Sequence, residues 1–398
     1  PTGANPRALA LAPDGLLWVV NSDSATIAIL DTTALSMNAT LTLPRGSRPF
    51  GLAFDPNSSA AFVALEGSGQ VLKLHPVSGA VIAVAEVGAN VRHVSVSSDG
   101  ARVYVSRFIT PPVPGENTAT PNLDGRGGEV VVLDAASLGV ERTILLAPST
   151  AADTPTSARG LPNYLGAVTL SPDGLTAWVP SKQDNIQRGV LRDGFALTHD
   201  QTVRAIASRI DLAAQAEDHA ARIDFDDAGM PSAAAFDRWG GVLYVALEST
   251  RAVAVVDPYS NEEVARIDTG RAPQGVVVSP DGRRLVVQNY MDRSVSALEV
   301  PPRARGESLP PLPLATAAST ALEPLSLQVL RGKQFFHDAF DGRLALQRYI
   351  SCAACHNEGG HDGRTWDLTG FGEGLRNTIT LRGHANHGPL HWSGNFDE

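Results

Sequence analysis

Cys352-Ala353-Ala354-Cys355-His356 holds the only two cysteines of a 398-residue chain. On a helix, side chains three apart share one face, so two sulfurs there can reach the two vinyl groups along one porphyrin edge. The histidine that follows falls beneath the ring as the proximal iron ligand. A Cys-x-x-Cys pair also serves as a redox dithiol or as half of a zinc site. Zinc would need a second pair of ligands at suitable spacing, and a dithiol does not need the histidine. The pattern points to a covalently bound haem c, attached through Cys352 and Cys355 and ligated by His356.

The sixth iron ligand is constrained by what the final fifth of the chain contains. Met37, Met230 and Met291 all precede the haem motif, so the His/Met pairing that raises a cytochrome's potential is not available locally. Six of the ten histidines lie after residue 326: His337, His356, His361, His384, His387 and His391. His361 is too close to His356 for the chain to pass round the porphyrin edge. His384, His387 and His391 are far enough away to approach the distal face. The site is therefore bis-His, suited to a low-potential relay, or open, suited to peroxide chemistry with a nearby acid or base. The remaining histidines, His75, His93, His199 and His219, share no motif and read as ordinary surface or hydrogen-bonded residues.

Haem is attached covalently outside the cytoplasm, so the protein is expected to be exported, periplasmic or extracellular. The start, Pro1-Thr2-Gly3-Ala4-Asn5, has neither a basic stretch nor an apolar core, as expected of a chain that begins after processing or of a fragment. No apolar run is long enough for a transmembrane helix. A net charge of -10 argues against a nucleic-acid surface, which needs clustered Lys and Arg.

The elements that must position this chemistry come from repetition. A unit recurs through residues 1–300: Pro-x-Gly, a short alternating segment, a Ser/Asp-Pro-Asp-Gly turn, then an aromatic-Val strand. Its third position falls at 8, 51, 93, 166, 233 and 275, so three intervals are 42 or 43 residues and two are 73 and 67. A period near 42 with two insertions predicts an all-β propeller with one four-stranded blade per repeat. The insertions fall near residues 108–127 and 181–206 and are read as rim cover that packs on the haem-bearing segment. In the third copy, Val91-Arg92-His93 replaces the Pro-x-Gly pattern. Runs such as Ala252-Val253-Ala254-Val255-Val256-Asp257 suit strands covered on both faces by neighbouring blades.

These repeats resemble the YVTN-type propellers. That resemblance implies seven blades, of which six repeats are visible, the seventh being degenerate or upstream of Pro1. Residues 301–325 are Pro-rich and read as an extended tether. Ser326 is placed to cap a helix carrying Leu327, Leu330 and Phe335. Residues 326–398 are then expected to form a small, mostly α c-type cytochrome domain.

Leu330-Arg331-Gly332-Lys333-Gln334-Phe335-Phe336-His337-Asp338 resembles the helix before the first haem of bacterial dihaem cytochrome c peroxidases and the related MauG proteins. Ile350–Asn357 is similar to their first haem motif, Gly374-Leu375-Arg376-Asn377-Thr378 to the Arg-Asn turn after it, and His391-Trp392-Ser393-Gly394-Asn395 to their Trp-Asp-Gly segment. The resemblance implies that His356 is the proximal ligand of the peroxide-reacting haem. It also implies that Trp392 lies on the electron route between two haems and that Asn377 sits near a structural calcium. Against these roles stand core packing for Trp392 and turn formation for Asn377, the latter being the reading favoured. The family carries a second haem motif and a catalytic glutamate beyond its Trp-Asp-Gly segment, so a second haem is expected downstream of Glu398 in a longer polypeptide.

Three functions fit. One is a haem peroxidase-like oxidoreductase served by a small redox protein as donor, its propeller a platform for a partner or self-assembly. Another is a non-enzymatic electron-transfer cytochrome with a bis-His haem. The last places the reaction on the propeller, with the c-haem accepting electrons.

Overall fold

The computed structural model describes residues 2–154, 157–187, 199–301 and 310–383. Six antiparallel blades occupy residues 6–42, 49–86, 91–146, 161–225, 231–268 and 273–318. Blade four is five-stranded because its first strand is split into Leu161–Asn163 and Thr169–Leu170; the others have four strands in sequential order. Each blade is a meander, so the chain hydrogen-bonds to itself locally before moving one position round the ring.

The recurring Pro-x-small motif turns out to be a β-bulge in the first strand of a blade. The register shifts between Pro6 and Ala8, Pro49 and Leu52, Pro231 and Ala233, and Pro273 and Gly275. Proline has no N–H to give the ladder, which makes a bulge its natural place in a sheet. At Gly51 the third residue must be glycine, because a Cβ there would lie 2.4 Å from the Arg92 carbonyl oxygen. The residue leading into the bulge adopts a left-handed conformation in all six blades, at Asn5, Arg48, Asn90, Tyr164, Met230 and Ala272. The Ser-x-Asp-Gly turns close as expected. Asp173 and Asp281 each accept from the backbone N–H two residues on, both at 3.0 Å, and Gly174 and Gly282 take φ of 70° and 71°.

Apolar layers fill the spaces between consecutive blades. Trp18 and Ile27 meet Val63 and Leu74 between blades one and two; Trp178 meets Leu243, Val245 and Leu247 between blades four and five. Among the described residues no such layer joins the sixth blade to the first. Leu9 and Leu11 on one flank are 65% and 63% exposed, and Val277 on the other is 57% exposed. The expectation of seven blades is thus corrected to six, with two apolar flanks uncovered.

The stretch read as a tether contributes to the ring. Leu312–Ala318 pairs along Ser294–Glu299 as the outer strand of blade six. Its alternation of small and apolar residues is short and Pro-flanked, and strand pairing, not burial, holds it. After it, Ser326 Oγ accepts from Val329 N at 3.3 Å and starts the helix Leu327–His337. The described remainder is not mostly α. It consists of 3-10 turns and the two-stranded hairpin Thr365–Leu368 with Gly374–Asn377. Glycines at 359, 360, 363, 370, 372 and 374 explain the lack of further helix. No described helix is long and apolar enough to cross a membrane.

Trp178 is fully buried between blades four and five. Trp178→Ala is expected to cost about 3–5 kcal/mol, read as a lower denaturation midpoint. An unchanged midpoint would contradict the packing described.

Candidate functional site

The Cys-x-x-Cys-His motif folds as a 3-10 turn, Cys352–Ala354, in which Cys355 N and His356 N both donate to the Cys352 carbonyl oxygen at 3.3 and 3.0 Å. The turn keeps both sulfurs and the imidazole within one loop, with Cys352 exposed and Cys355 half-buried. His356 Nδ1 lies 3.3 Å from the Gly360 carbonyl oxygen. A carbonyl is only an acceptor, so Nδ1 carries the proton and Nε2 is left for a metal. These three residues are the ones that could hold a haem. His384, His387, His391 and Trp392 lie outside the described residues, so the distal side is not part of this geometry. His361 is exposed and its Nδ1 accepts from Gly363 N at 3.1 Å. Asn377 Nδ2 donates to Thr365 Oγ1 at 2.9 Å across the hairpin, which gives it a structural role. Among the described residues no cluster of His, Cys, Asp and Glu could hold a metal ion.

The turn is docked on the propeller. Tyr164 OH donates to the Cys355 carbonyl oxygen at 2.9 Å, and Ala354 packs with Phe108, Tyr164 and Met230. Beneath Cys355, the fully buried Lys182 ammonium stands 2.9 Å from Asp184 and 3.3 Å from Asp362, and 4.3 Å above the Tyr164 ring. Burial, only partly offset by Lys182, pushes the Asp184 carboxyl up to about 6. The same burial, together with Asp362, holds the Cys355 thiol well above its ordinary range. It is therefore a neutral thiol, not a redox-poised thiolate. Asn163 braces the cluster, donating to Asp184 at 2.8 Å and to the Asp362 carbonyl at 2.9 Å. The first insertion takes part as well: buried Arg364 reaches the Thr110 carbonyl at 2.6 Å and Glu116 at 3.2 Å.

On the far side of the turn, four arginines converge on Glu358. Arg7 is at 2.8 Å, Arg48 and Arg382 at 3.6 Å and Arg92 at 3.7 Å. Arg92 is also clasped between Phe50 and Phe108, 4.7 and 3.6 Å from their ring centres, and donates to Asn357 at 3.2 Å. Glu358 itself has φ of 55°, a left-handed conformation that this ion network holds in place.

Between the docked segment and the centre of the ring lies a cavity of about 1030 Å³. His93 faces it, edge-on to Phe50 at 5.3 Å, where burial and then Arg92 push its imidazole down to about 3. It is therefore neutral, and it is the one bulky side chain at a repeat position that is Ala or Gly in the other five blades. Glu248 and His337 line the opposite wall, with Glu248 Oε1 2.6 Å from His337 Nδ1. Sequence reasoning singled out Cys352, Cys355 and His356, which the structure places on one turn, and missed Lys182, Asp362, Tyr164 and Glu248. The break of the repeat at Val91-Arg92-His93 was the available signal for the cavity; nothing comparable marks Glu248.

No protein-family model matches the chain, and no curated protein matches it. Solved structures resemble it in fold. One is the Cps50 (Swd1) β-propeller domain of Myceliophteria thermophila, at 12% identity over 79% of this chain and 86% of that one, TM-score 0.52. Another is a functionally unknown protein from Desulfotomaculum acetoxidans, at 15% identity over 76% and 79%, TM-score 0.50. Hydrazine synthase from Kuenenia stuttgartiensis is similar at 18% identity over 74% and 95%, TM-score 0.47. At such identities the likeness shows the fold alone, a β-propeller.

The Lys182 cluster holds one cation between two carboxylates. Lys182→Met leaves both acids buried without a counter-charge and is expected to cost about 3–5 kcal/mol. Asp184→Asn leaves a balanced pair and should cost much less. Limited proteolysis of residues 340–383 reads the undocking; equal sensitivity of the two variants would refute this account of the seam.

Proposed function

We propose that the chain is an exported c-type haem oxidoreductase whose propeller seats the haem-bearing turn and walls the chamber beside it. The observation that carries this reading is His356, held with Nδ1 toward the Gly360 carbonyl on the same turn as Cys352 and Cys355. That arrangement sets two cysteines and an oriented Nε2 on one turn, Cys352 exposed and Cys355 turned toward Asp362, a contact it would give up to bond a haem. A bound haem c would supply one-electron chemistry at a potential set by its axial ligands and burial. The chain's own part is to hold the ligand turn still, through Tyr164 on one flank and the Arg7, Arg48, Arg92 and Arg382 network on the other.

Within that reading, the cytochrome c peroxidase/MauG type rests on the sequence resemblance. It calls for a second haem in the polypeptide and a small redox protein as donor. The cavity favours a second version, in which a substrate reacts against the propeller wall and the c-haem takes the electrons. Tyr164 supports it, because the same residue lines the cavity and bonds the Cys355 carbonyl.

Pyridine haemochrome on intact protein from its native source is expected to give covalent haem. Two per polypeptide would favour the peroxidase/MauG type, and one would favour the propeller-side version. Cys352→Ser with Cys355→Ser should abolish haem staining on a denaturing gel. Wild-type protein free of covalent haem would sink the proposal.

A further inference from the structure

The Glu248–His337 pair is built more elaborately than a contact between two segments requires. Glu248 is 2% exposed and His337 5%. Gln274 Nε2 donates to the second oxygen of Glu248 at 3.1 Å, which fixes the plane of the carboxylate. His337 Nδ1 is 2.6 Å from the first oxygen, so this nitrogen carries the proton, and Nε2 has a lone pair to offer whenever the imidazole is neutral. Nε2 has no protein partner among the described residues, and His337 lines the cavity. A buried carboxylate orienting an imidazole whose other nitrogen faces open space is the arrangement of a general base.

A cation stands beside it. Lys333 lies one helical turn before His337 on the same face of the helix Leu327–His337. Its ammonium donates to Tyr290 OH at 3.1 Å and has no carboxylate within ion-pair distance among the described residues. The Tyr290 ring meets His337 edge-on at 5.6 Å, so base, hydroxyl and cation form one patch. Phe50, Phe108, Tyr164 and Phe336 also line the chamber, interleaved with Arg7, Arg92, Gln288 and Glu358. It has room for a one- or two-ring molecule.

We propose that this chamber binds a phenol and deprotonates it. The phenolic O–H proton passes to His337 Nε2, the imidazolium that forms is compensated by Glu248, and the phenolate oxygen is held by the Lys333 ammonium and Tyr290 OH. The ring lies against the aromatic walls. Aromatic lining favours a ring over an aliphatic alcohol, and a base next to an unpaired cation favours an acidic hydroxyl over a carboxylate, which has no proton left to give. A phenolate gives up an electron more readily than a phenol, which would make it a reductant for the oxidoreductase proposed above. That last step rests on the haem reading; binding and deprotonation do not.

The test uses 4-nitrophenol, whose ionised form absorbs in the visible, in a near-neutral buffer where much of the free probe is still protonated and an imidazole can still accept a proton. Adding the full chain should produce a saturable rise in phenolate absorbance, after subtraction of any haem spectrum. His337→Gln should abolish the rise while the far-UV circular dichroism stays that of a propeller. Lys333→Met, which leaves the Glu248 bond intact, should weaken binding about tenfold. No saturable change with the wild-type chain, or an identical rise in both variants, overturns the proposal. Failure here with covalent haem present rejects the phenol site alone. Success in a chain without haem rejects the haem reading alone.

Discussion

Close approach of backbone near the axis of the ring shapes this molecule. Where Gly51 passes the Arg92 carbonyl there is no room for a Cβ, so the first strand of blade two must carry glycine at that point. It is also bulged, which re-aims the residues around the motif. Five blades carry Ala or Gly at the third position. The third blade carries His93 there instead, with Arg92 before it, and both side chains are directed into the space above the centre. The chamber's polarity thus begins as a local departure from the repeat.

The second half of the chamber is supplied by the segment that follows the propeller, and its seat is made largely of buried charge. Lys182 bridges Asp184 and Asp362, Arg364 reaches Glu116, and Glu358 gathers four arginines. Buried ion pairs add little net stability, because desolvation offsets most of the Coulomb gain. Their effect is positional: a slip of the segment by one residue would strand an unpaired charge at each contact. Apolar contact between Ala354 and Phe108, Tyr164 and Met230 supplies adhesion without that selectivity.

This division of labour places two kinds of chemistry on either side of one aromatic residue. Tyr164 faces the chamber with its ring and bonds the cysteine turn with its hydroxyl. Burial, followed by the nearby Asp362 carboxylate, holds that hydroxyl well above its ordinary range, so it stays a neutral donor. On one side lie sulfur and imidazole groups suited to an iron porphyrin. On the other lie an oriented histidine, a lone ammonium and aromatic walls. The two meet at Tyr164.

The sequence by itself determined the propeller architecture, because each blade closes locally and its turn and bulge residues recur at a fixed spacing. It also placed Cys352, Cys355 and His356 together, since they lie within five residues and a single turn carries all three. Six repeats were legible and six blades form; the seventh was implied by the resemblance alone, and the uncovered flanks at Leu9 and Val277 were settled only by how neighbouring sheets pack. The strand Leu312–Ala318 was hidden because its pairing partner, not its composition, makes it a strand. The partnership of Glu248 with His337, 89 residues apart, and of Lys182 with Asp362, 180 apart, belongs to the tertiary structure alone. No local pattern encodes which buried charges meet; only docking of the final segment on the ring brings them within reach.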